Sequence, residues 1–185
     1  MTPSRRIIGI SGRARSGKDT AALSLSEFGF VRRAFADPLK LAAKAIFCLV
    51  SEQLYGNAKD VVDPFWGQTP RAILQQLGTE CLRNGYAPDV WVRSMERWLA
   101  MNTHGGQKVV IPDVRFPEEP DAILRWGGEV WLVRRDGAGA SGSGADHVSE
   151  HALDGATGFS ATIDNNGSLA DLREKVVALM AVQRG

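Results

Sequence analysis

The sequence predicts an α/β fold in which a mostly parallel sheet of about five strands carries helices on both faces. Three observations lead to this fold class. Short apolar runs alternate with amphipathic helical patterns, hairpin signals are absent, and the run KVVIPD at 108–113 is apolar like a strand buried on both faces. With 185 residues and 44% hydrophobic content, the chain can bury one sizeable core, which favours a single domain over 1–185.

The N-terminal third begins with a strand, a glycine-rich loop and a helix. A β-branched run ends at Gly12, and a helical apolar pattern begins near Lys18. After a second apolar stretch, the Asp37–Pro38 pair has the residue types of an N-cap and a first helical turn, which predicts a further helix. The predicted elements are strands at 5–11 and 30–36 and helices over 18–28 and 39–50.

A helical segment over about 38–104 separates the second strand from the third. Its first part, 51–67, is mixed and rich in turn-forming residues. The Thr69–Pro70 pair repeats the cap signal and starts a helix that the Asn84–Gly85 pair ends. Asp89 then caps a helix whose apolar residues recur at spacings of three and four.

The C-terminal third supplies the remaining strands. The strand at 108–113 ends in Asp113, and EVWLVRR at 129–135 runs into Arg134 and Arg135. The Gly, Ala and Ser that follow cannot bury enough surface to offset the entropy of ordering, so we expect a flexible, lid-like loop over about 135–155. The other predicted elements are a short helix at 122–126, a strand at 160–164, a turn and cap at 165–168, and a helix at 169–180.

Several of the chemically interesting residues follow predicted strands. Ligands of parallel α/β sheets bind beyond the carboxyl ends of the strands. Gly12, Asp37, Asp113 and Arg134 all stand at such ends, so we expect them at one edge of the sheet. The predicted core is 1–37 with 105–185.

Charge and hydropathy exclude several classes of partner. Lys and Arg total 22 against 21 Asp and Glu, and a formal charge of +1 creates no general field for nucleic acid or an anionic membrane. No apolar run approaches the roughly 20 residues of a membrane span. MTPSRR leads directly into a strand-like run and does not resemble a signal sequence, so the sequence predicts a soluble, cytoplasmic protein.

Cysteines and histidines give no sign of a metal site. Cys48 and Cys81 lie within helix-like apolar patterns, so we expect buried, reduced thiols. His104, His147 and His151 form neither an HExxH motif nor a Cys/His spacing. The sequence therefore gives no basis for a structural zinc.

The segment GRARSGKDT at 12–20 fits the pattern G-x-x-x-x-G-K between a strand and a helix. Gly12 and Gly17 let the backbone curl so that successive amides point inward, and Lys18 adds positive potential for the β and γ phosphates. A plain helix-capping turn would leave Lys18 and the flanking Arg13 and Arg15 unexplained. The motif predicts ATP binding and the three-layer sandwich of P-loop NTPases. The residues expected at ATP are Gly12, Arg15, Ser16, Gly17, Lys18, Asp19 and Thr20.

The position after the lysine departs from the usual hydroxyl. Asp19 stands there and Thr20 follows, an order that is similar to adenylate kinase and its relatives. We expect Thr20 at Mg²⁺, either directly or through water, while Asp19 could instead cap the helix. Asp113 is the candidate second carboxylate for the metal, and capping of the next turn is its alternative.

Several segments, in order, resemble the bacteriophage-type deoxynucleoside monophosphate kinases. No single segment is decisive, but the ordered set is specific and runs from the GKDT loop to IDNNGSLADL, nearly the whole chain. Nucleotide kinases carry their acceptor-binding region where this chain has the helical insertion. The segments are FADPLK at 35–40, TPRAILQQLGTECLR at 69–83, DVWVRSMERW at 89–98, DVRFPEE at 113–119 and HVSEHALD at 147–154.

The resemblance implies transfer of the γ-phosphate of ATP to a deoxynucleoside monophosphate, with Mg²⁺, and it makes a homodimer an expectation. By this likeness Asp37 and Lys40 start the acceptor-binding helices, and Arg71 and the LGTE turn, Leu77 to Glu80, line the acceptor pocket. The turn places Gly78 and Thr79 at that pocket. Trp91 packs beside it, and Asp113 and Arg115 also face the substrate. We expect Lys18, Arg115 and Arg134 to act on the transferring phosphate.

Simpler interpretations exist for several of these residues. Capping alone would account for Asp37, and Lys40 and Arg71 could be surface residues of a first helical turn. Trp91 lies on an amphipathic helix, where tryptophan is more often part of the core. Either Arg134 or Arg135 could be the residue that acts.

Two other functions compete with this one. Phosphomevalonate and dephospho-coenzyme A kinases share the loop and the size of the chain. A GTP switch, a motor subunit or a non-catalytic ATP-binding regulator is less consistent, because there is no N-K-x-D motif and Asp113 is followed by Val114 rather than glutamate. The base preference and the discrimination of deoxyribose from ribose are left open.

Overall fold

The computed structural model describes residues 6–102, 106–139, 152–153 and 155–182. The chain forms two compact units: Met1–Ala34 with Leu99–Gly185, here the sheet unit, and Phe35–Trp98, here the helical unit. Most of the predicted lid-like loop and most of the segment HVSEHALD lie outside the described residues.

Within the described residues, five parallel strands form the sheet, in the order β2-β3-β1-β4-β5. They confirm the predicted fold class. The strands are β1 (Arg6–Ser11), β2 (Phe30–Arg32), β3 (Lys108–Val114), β4 (Glu129–Arg134) and β5 (Ala161–Asp164). The α-helices are α1 (Lys18–Ser26), α2 (Asp37–Phe47), α3 (Ser51–Tyr55), α4 (Pro70–Gln75), α5 (Val90–Asn102), α6 (Glu118–Arg125) and α7 (Leu169–Val182). A 3₁₀ helix covers Asn57–Asp60, and a π-helix covers Gln76–Asn84.

Alternating side chains of β1 give the sheet its two covered faces. Ile8 and Ile10 are fully buried in one cluster with residues of α1 and α7. Gly9 faces the other way, where a Cβ atom would lie 2.5 Å from the Cδ1 atom of Ile123 in α6. Helices therefore cover both faces, and the carboxyl ends of all the strands meet at one edge.

The ladder between β1 and β3 is irregular near that edge. Gly9 pairs with Ile111 and Ser11 with Val114, so β3 contains one more residue than β1 over the same span. Pro112 lies in the extra length and has no N–H to donate to a neighbouring strand. Asp113 follows Pro112 and is partly exposed, whereas Ile111 and Val114 on either side of these two residues are buried.

The helical unit has a small core of its own. Ala43, Leu49, Leu54 and Ile73 are buried together, with Phe47, Leu74 and Leu77 packed against them. The predicted cap at Thr69 is confirmed, since its hydroxyl accepts a hydrogen bond from the Ala72 backbone N–H at 3.1 Å.

Two local predictions in the helical unit are wrong. Asp37 is the first residue of α2 rather than its cap, and Ala36 precedes it without a side-chain hydrogen bond. Asp37 also stands five positions beyond the end of β2, so it is not a strand-end residue. Leu77 to Glu80 form no turn, because they continue α4 as the π-helix.

The predicted burial of the cysteines is also wrong, because both side chains are exposed. Cys48 has a φ of 55° and ends α2, so it leaves the apolar stripe of that helix. Cys81 lies in the π-helix, whose wider turns shift its faces relative to the assumed period of 3.6 residues. Among the described residues, no helix is long and apolar enough to cross a membrane.

Candidate active site

The loop between β1 and α1 has a backbone that depends on glycine. Gly12 and Gly17 have φ values of 151° and 101°, and Arg15 also has a positive φ, 63°. At Gly12 a Cβ atom would lie 2.4 Å from the Val133 carbonyl oxygen of β4. Both predicted glycines are therefore required, one for its close approach to β4 and both for their conformation.

Lys18 and Ser16 are buried inside this loop. Lys18, the first residue of α1, is 6% exposed, and its Nζ atom donates to the Arg13 carbonyl oxygen at 3.0 Å. Ser16 is 1% exposed, and its Oγ atom has no hydrogen-bond partner among the described residues. Leaving a buried hydroxyl unpaired costs about 1–3 kcal/mol. An oxygen-rich ligand in the loop would remove that cost.

The other loop residues are more accessible. Arg15 and Asp19 are exposed, and Thr20 is partly exposed. Asp19 lies in the first turn of α1, but Gly17 occupies the cap position and no side chain caps the helix. The helix-cap alternative for Asp19 is therefore not supported.

The described residues contain no group of three or more His, Cys, Asp or Glu side chains that could hold a metal ion alone. Thr20 and Asp113 are the candidate ligands from the sequence, and both lie in the sheet unit. Mg²⁺ does not require such a group, because it keeps several waters and commonly binds through one or two carboxylates together with substrate phosphates.

A buried carboxylate fixes the turn that carries Arg115. Glu119 is 2% exposed, and its Oε2 atom accepts hydrogen bonds from the backbone N–H groups of Arg115, at 2.7 Å, and Phe116, at 3.1 Å. Sequence reasoning selected Arg115 but not Glu119. The available signal was an acidic residue in the first turn of the helix after a strand-end carboxylate.

Arg134 is the last residue of β4, and its side chain is exposed, as is that of Arg135. The Arg134 carbonyl oxygen accepts a hydrogen bond from the Asn165 backbone N–H at 2.7 Å. The sequence predicts only a turn at Asn165, yet this residue is buried and its side chain contacts the glycine-rich loop. Its position directly after a strand was the one signal for this.

Two cationic residues of the predicted acceptor site contact side chains within the helical unit. The Lys40 Nζ atom lies 4.3 Å from the centroid of the Tyr55 ring. Arg71 forms a two-point ion pair with Asp60, with its Nε atom 2.6 Å from Oδ1 and its Nη2 atom 3.1 Å from Oδ2. These contacts orient the two cations.

Trp91 forms a hydrogen bond with Gly78, a residue of the predicted LGTE turn. Its Nε1 atom donates to the Gly78 carbonyl oxygen at 3.1 Å. Gly78 is buried, and a Cβ atom there would lie 2.6 Å from the Cδ2 atom of Leu39, while Thr79 is partly exposed. Gly78 and Trp91 thus join the π-helix to α5.

The helical unit also contains an apolar pocket of about 270 Å³ that sequence reasoning missed. Trp66 forms one wall: its Nε1 atom donates to the Phe47 carbonyl oxygen at 3.0 Å, and the two rings meet edge to face with centroids 5.1 Å apart. The Phe65–Trp66 pair in a turn-rich segment was the only sequence signal. The lining residues are Phe47, Trp66, Gln68, Ile73, Gln76, Leu77 and Cys81.

Asp63 fixes the short loop that carries Trp66. Its Oδ1 atom accepts from the backbone N–H groups of Phe65, at 2.9 Å, and Trp66, at 3.2 Å, and its Oδ2 atom accepts from Gln53 Nε2 at 2.8 Å. Hydrogen bonds from Gln53, Trp66 and Phe65 lower the pKa of Asp63 below its ordinary value of 3.8. The charged carboxylate therefore stabilises the loop at neutral pH.

The parallel sheet and the glycine- and lysine-containing loop define the fold of P-loop kinases. Among solved structures, TT1252 from Thermus thermophilus aligns with a TM-score of 0.51 and 22% identity over 98% of this chain and 99% of that one. A sugar kinase from Janibacter sp. aligns with a TM-score of 0.52 and 16% identity over 97% of this chain and 95% of that one. At these identities the likeness is one of fold.

Sequence comparison defines the family within that fold. The deoxynucleotide monophosphate kinase family matches residues 50–176. A protein of Acanthamoeba polyphaga mimivirus, provisionally described as a deoxynucleotide monophosphate kinase, is 35% identical over an alignment of 187 positions that covers 93% of this chain and 94% of that protein. This chain belongs to the deoxynucleotide monophosphate kinase family, which confirms the resemblance stated above.

Proposed function

We propose that this protein is an ATP-dependent kinase that phosphorylates a deoxynucleoside monophosphate, giving a deoxynucleoside diphosphate and ADP. The observation that carries the proposal is the glycine-rich loop with its buried lysine and the buried, unpartnered hydroxyl of Ser16, in a chain of this family. An oxygen-rich anion fits that loop better than any neutral ligand, because the loop offers amides, an ammonium group and a hydroxyl.

The nucleotide contacts are assigned to the sheet unit. Amides between Gly12 and Thr20, together with Arg15, Ser16 and Lys18, would hold the triphosphate. Thr20 and Asp113 would hold Mg²⁺, directly or through its water shell, and the bound ion neutralises charge on the phosphates. Asp19 lies in the first turn of α1 and is exposed, so it has room to contact the ion's hydration shell.

The reaction needs no general base, because the attacking phosphate oxygen of the acceptor is already ionised at neutral pH. The chain must hold two polyanions in line and offset their repulsion. Lys18 does this at the transferring phosphate from a fixed, buried position. Arg115, on the turn that Glu119 fixes, and Arg134, at the end of β4, supply further cations.

The acceptor contacts are assigned to the helical unit. Its pocket of about 270 Å³ is near the lower end of small-molecule sites, roughly 300 Å³, and suits one heteroaromatic ring system. Trp66 and Phe47 offer aromatic surface to a base, and the Gln68 and Gln76 amides can donate to or accept from its polar edge. Lys40 and Arg71 are the cations assigned to the acceptor phosphate. Asp37, Gly78, Thr79 and Trp91 are the other residues of the helical unit assigned to the acceptor.

A coupled assay of ADP release tests the proposal. Mg·ATP is supplied with each of the four deoxynucleoside monophosphates, each ribonucleoside monophosphate, dephospho-coenzyme A and phosphomevalonate, and products are identified by chromatography. We expect ADP release that requires a deoxynucleoside monophosphate and yields the diphosphate. ATP hydrolysis that ignores the acceptor, or faster turnover with either of the other two acceptors, would contradict the proposal.

A further inference from the structure

Asn165 connects the end of β5 to the glycine-rich loop. Its Nδ2 atom donates to the Ser16 carbonyl oxygen at 2.8 Å, and both residues are buried, with Asn165 3% exposed. Its backbone N–H donates to the Arg134 carbonyl oxygen at the end of β4. The amide is therefore anchored by the sheet and reaches a residue 149 positions earlier in the chain.

This contact fixes the orientation of one peptide group of the loop. In a planar trans peptide the C=O and the following N–H point in opposite directions. Holding the Ser16 carbonyl towards Asn165 therefore directs the Gly17 N–H away from it. Gly17 accepts the close approach because it lacks a side chain: a Cβ atom there would lie 2.2 Å from the Asn165 Nδ2 atom.

The neighbouring asparagine makes a separate contact. Asn166 Oδ1 accepts from the Asp136 backbone N–H at 2.9 Å, and Asn166 Nδ2 donates to Asp136 Oδ2 at 2.9 Å. These groups are exposed: Asp136 lies two residues beyond the end of β4, and Asn166 lies two residues beyond the end of β5. Asn165 and Asn166 thus differ in burial and in the segment they hold, which makes Asn166 a matched control.

We propose that Asn165 is a positioning residue for phosphate binding, and this rests on the binding of ATP in the proposed function. Asn165 contacts no phosphate itself in this role. Its amide keeps the Ser16–Gly17 peptide in the orientation that presents the loop's amides to a triphosphate. A carboxylate of the same shape could not donate to the Ser16 carbonyl and would bring negative charge to an anion site.

The test compares Asn165→Asp with Asn166→Ala in the full chain. Binding of a non-hydrolysable ATP analogue with Mg²⁺ is measured by calorimetry, and KM values are measured separately for ATP and the acceptor. We expect Asn165→Asp to weaken analogue binding about tenfold or more, with the acceptor KM unchanged. Asn166→Ala should stay within about twofold of wild type, because it leaves the loop contact intact.

Asn165→Ser provides a second, uncharged variant if Asn165→Asp does not fold. A folded variant at Asn165 that binds the analogue as tightly as wild type would overturn the proposal. Equal changes in the ATP and acceptor KM values would also overturn it, since they would indicate a general structural role.

The analogue measurement separates this proposal from the proposed function. A wild type that binds the analogue but phosphorylates no deoxynucleoside monophosphate would contradict only the function, while selective weakening by Asn165→Asp would still support the role of Asn165. A wild type that binds no analogue would overturn both.

Discussion

The two units of the molecule hold their polar groups in different ways. In the sheet unit, Ser16, Lys18 and Asn165 are buried, and the side chains of Lys18 and Asn165 donate hydrogen bonds to backbone carbonyl oxygens. In the helical unit, Lys40 and Arg71 are partly exposed and contact the side chains of neighbouring residues. The two buried donors of the sheet unit thus depend on backbone groups, whereas Lys40 and Arg71 depend on neighbouring side chains. We therefore expect substitutions in the sheet unit to cost more activity.

Lys18→Ala should have the largest effect. Removing a preorganised cation at the transferring phosphate is expected to lower kcat at least about 10²–10³-fold. The fold should be retained, which circular dichroism checks alongside the coupled assay. Full activity with an unchanged spectrum would show that the loop does not carry the chemistry and would remove the contrast between the units.

Gly17→Ala should have the next largest effect. A Cβ atom at a φ of 101° is strained and would meet the Asn165 amide, so both ATP affinity and the unfolding free energy should fall, the latter by about 1–3 kcal/mol. Gly29→Ala is the matched control, because Gly29 has a φ of 79° but nothing within 4 Å of its Cβ position. We expect Gly29→Ala to lower the melting temperature without changing the KM for ATP. If Gly17→Ala and Gly29→Ala changed the ATP affinity equally, the assignment of Gly17 to the ATP-binding loop would be contradicted.

Trp66→Ala tests whether the pocket of the helical unit binds the base of the acceptor. Loss of one wall of the pocket should raise the acceptor KM about tenfold and leave the KM for ATP unchanged, because aromatic stacking contributes roughly 1–3 kcal/mol per base. Tyr86→Ala is the control, since Tyr86 is 74% exposed and does not line the pocket. An unchanged acceptor KM in Trp66→Ala would exclude the pocket as the base site.

Asp63→Asn should have the smallest effect, and the effect should depend on pH. The folded pKa of Asp63 is lowered by its hydrogen bonds, so its stabilising contribution is present above the ordinary value of 3.8 and is lost as pH falls through the folded pKa. Urea unfolding at pH 7 and at pH 3 measures this. We expect the variant to be less stable at pH 7 and the difference to shrink in acid. If the difference in unfolding free energy between wild type and Asp63→Asn were the same at both pH values, the stabilising role of the charged carboxylate would be contradicted.

The sheet unit was largely predictable from sequence for a physical reason. Strands buried on both faces must be apolar, and a loop that curls its amides inward needs glycine at fixed places, so RRIIGIS, KVVIPD and Gly12 to Lys18 leave clear patterns. The buried roles of Glu119 and Asn165 left only a weak signal, which is the position of each residue shortly after a strand. A polar residue after a strand is common in turns, and only the tertiary contact distinguishes it.

The helical unit was harder to predict because its short sequence patterns are compatible with more than one local structure. Asp37 before Pro38 suits either a cap or a first helical residue, and the structure has the second. The Leu77 to Glu80 segment contains glycine and threonine, which favour a turn, but it lies within the π-helix, where Gly78 packs closely against Leu39. The pocket at Trp66 combines residues from separate helices and a loop, so no single segment predicts it.

The wide turns of the π-helix over Gln76–Asn84 affect how well the chain can tolerate the loss of a single residue. Each such turn holds one residue more than an α-helical turn needs, so loss of one residue here could be absorbed by tightening to the ordinary hydrogen-bond pattern. The same loss inside α1 would rotate every later side chain of that helix by about 100°. Single-residue deletions should therefore be tolerated between Gln76 and Asn84 more readily than in the helices that pack on the sheet.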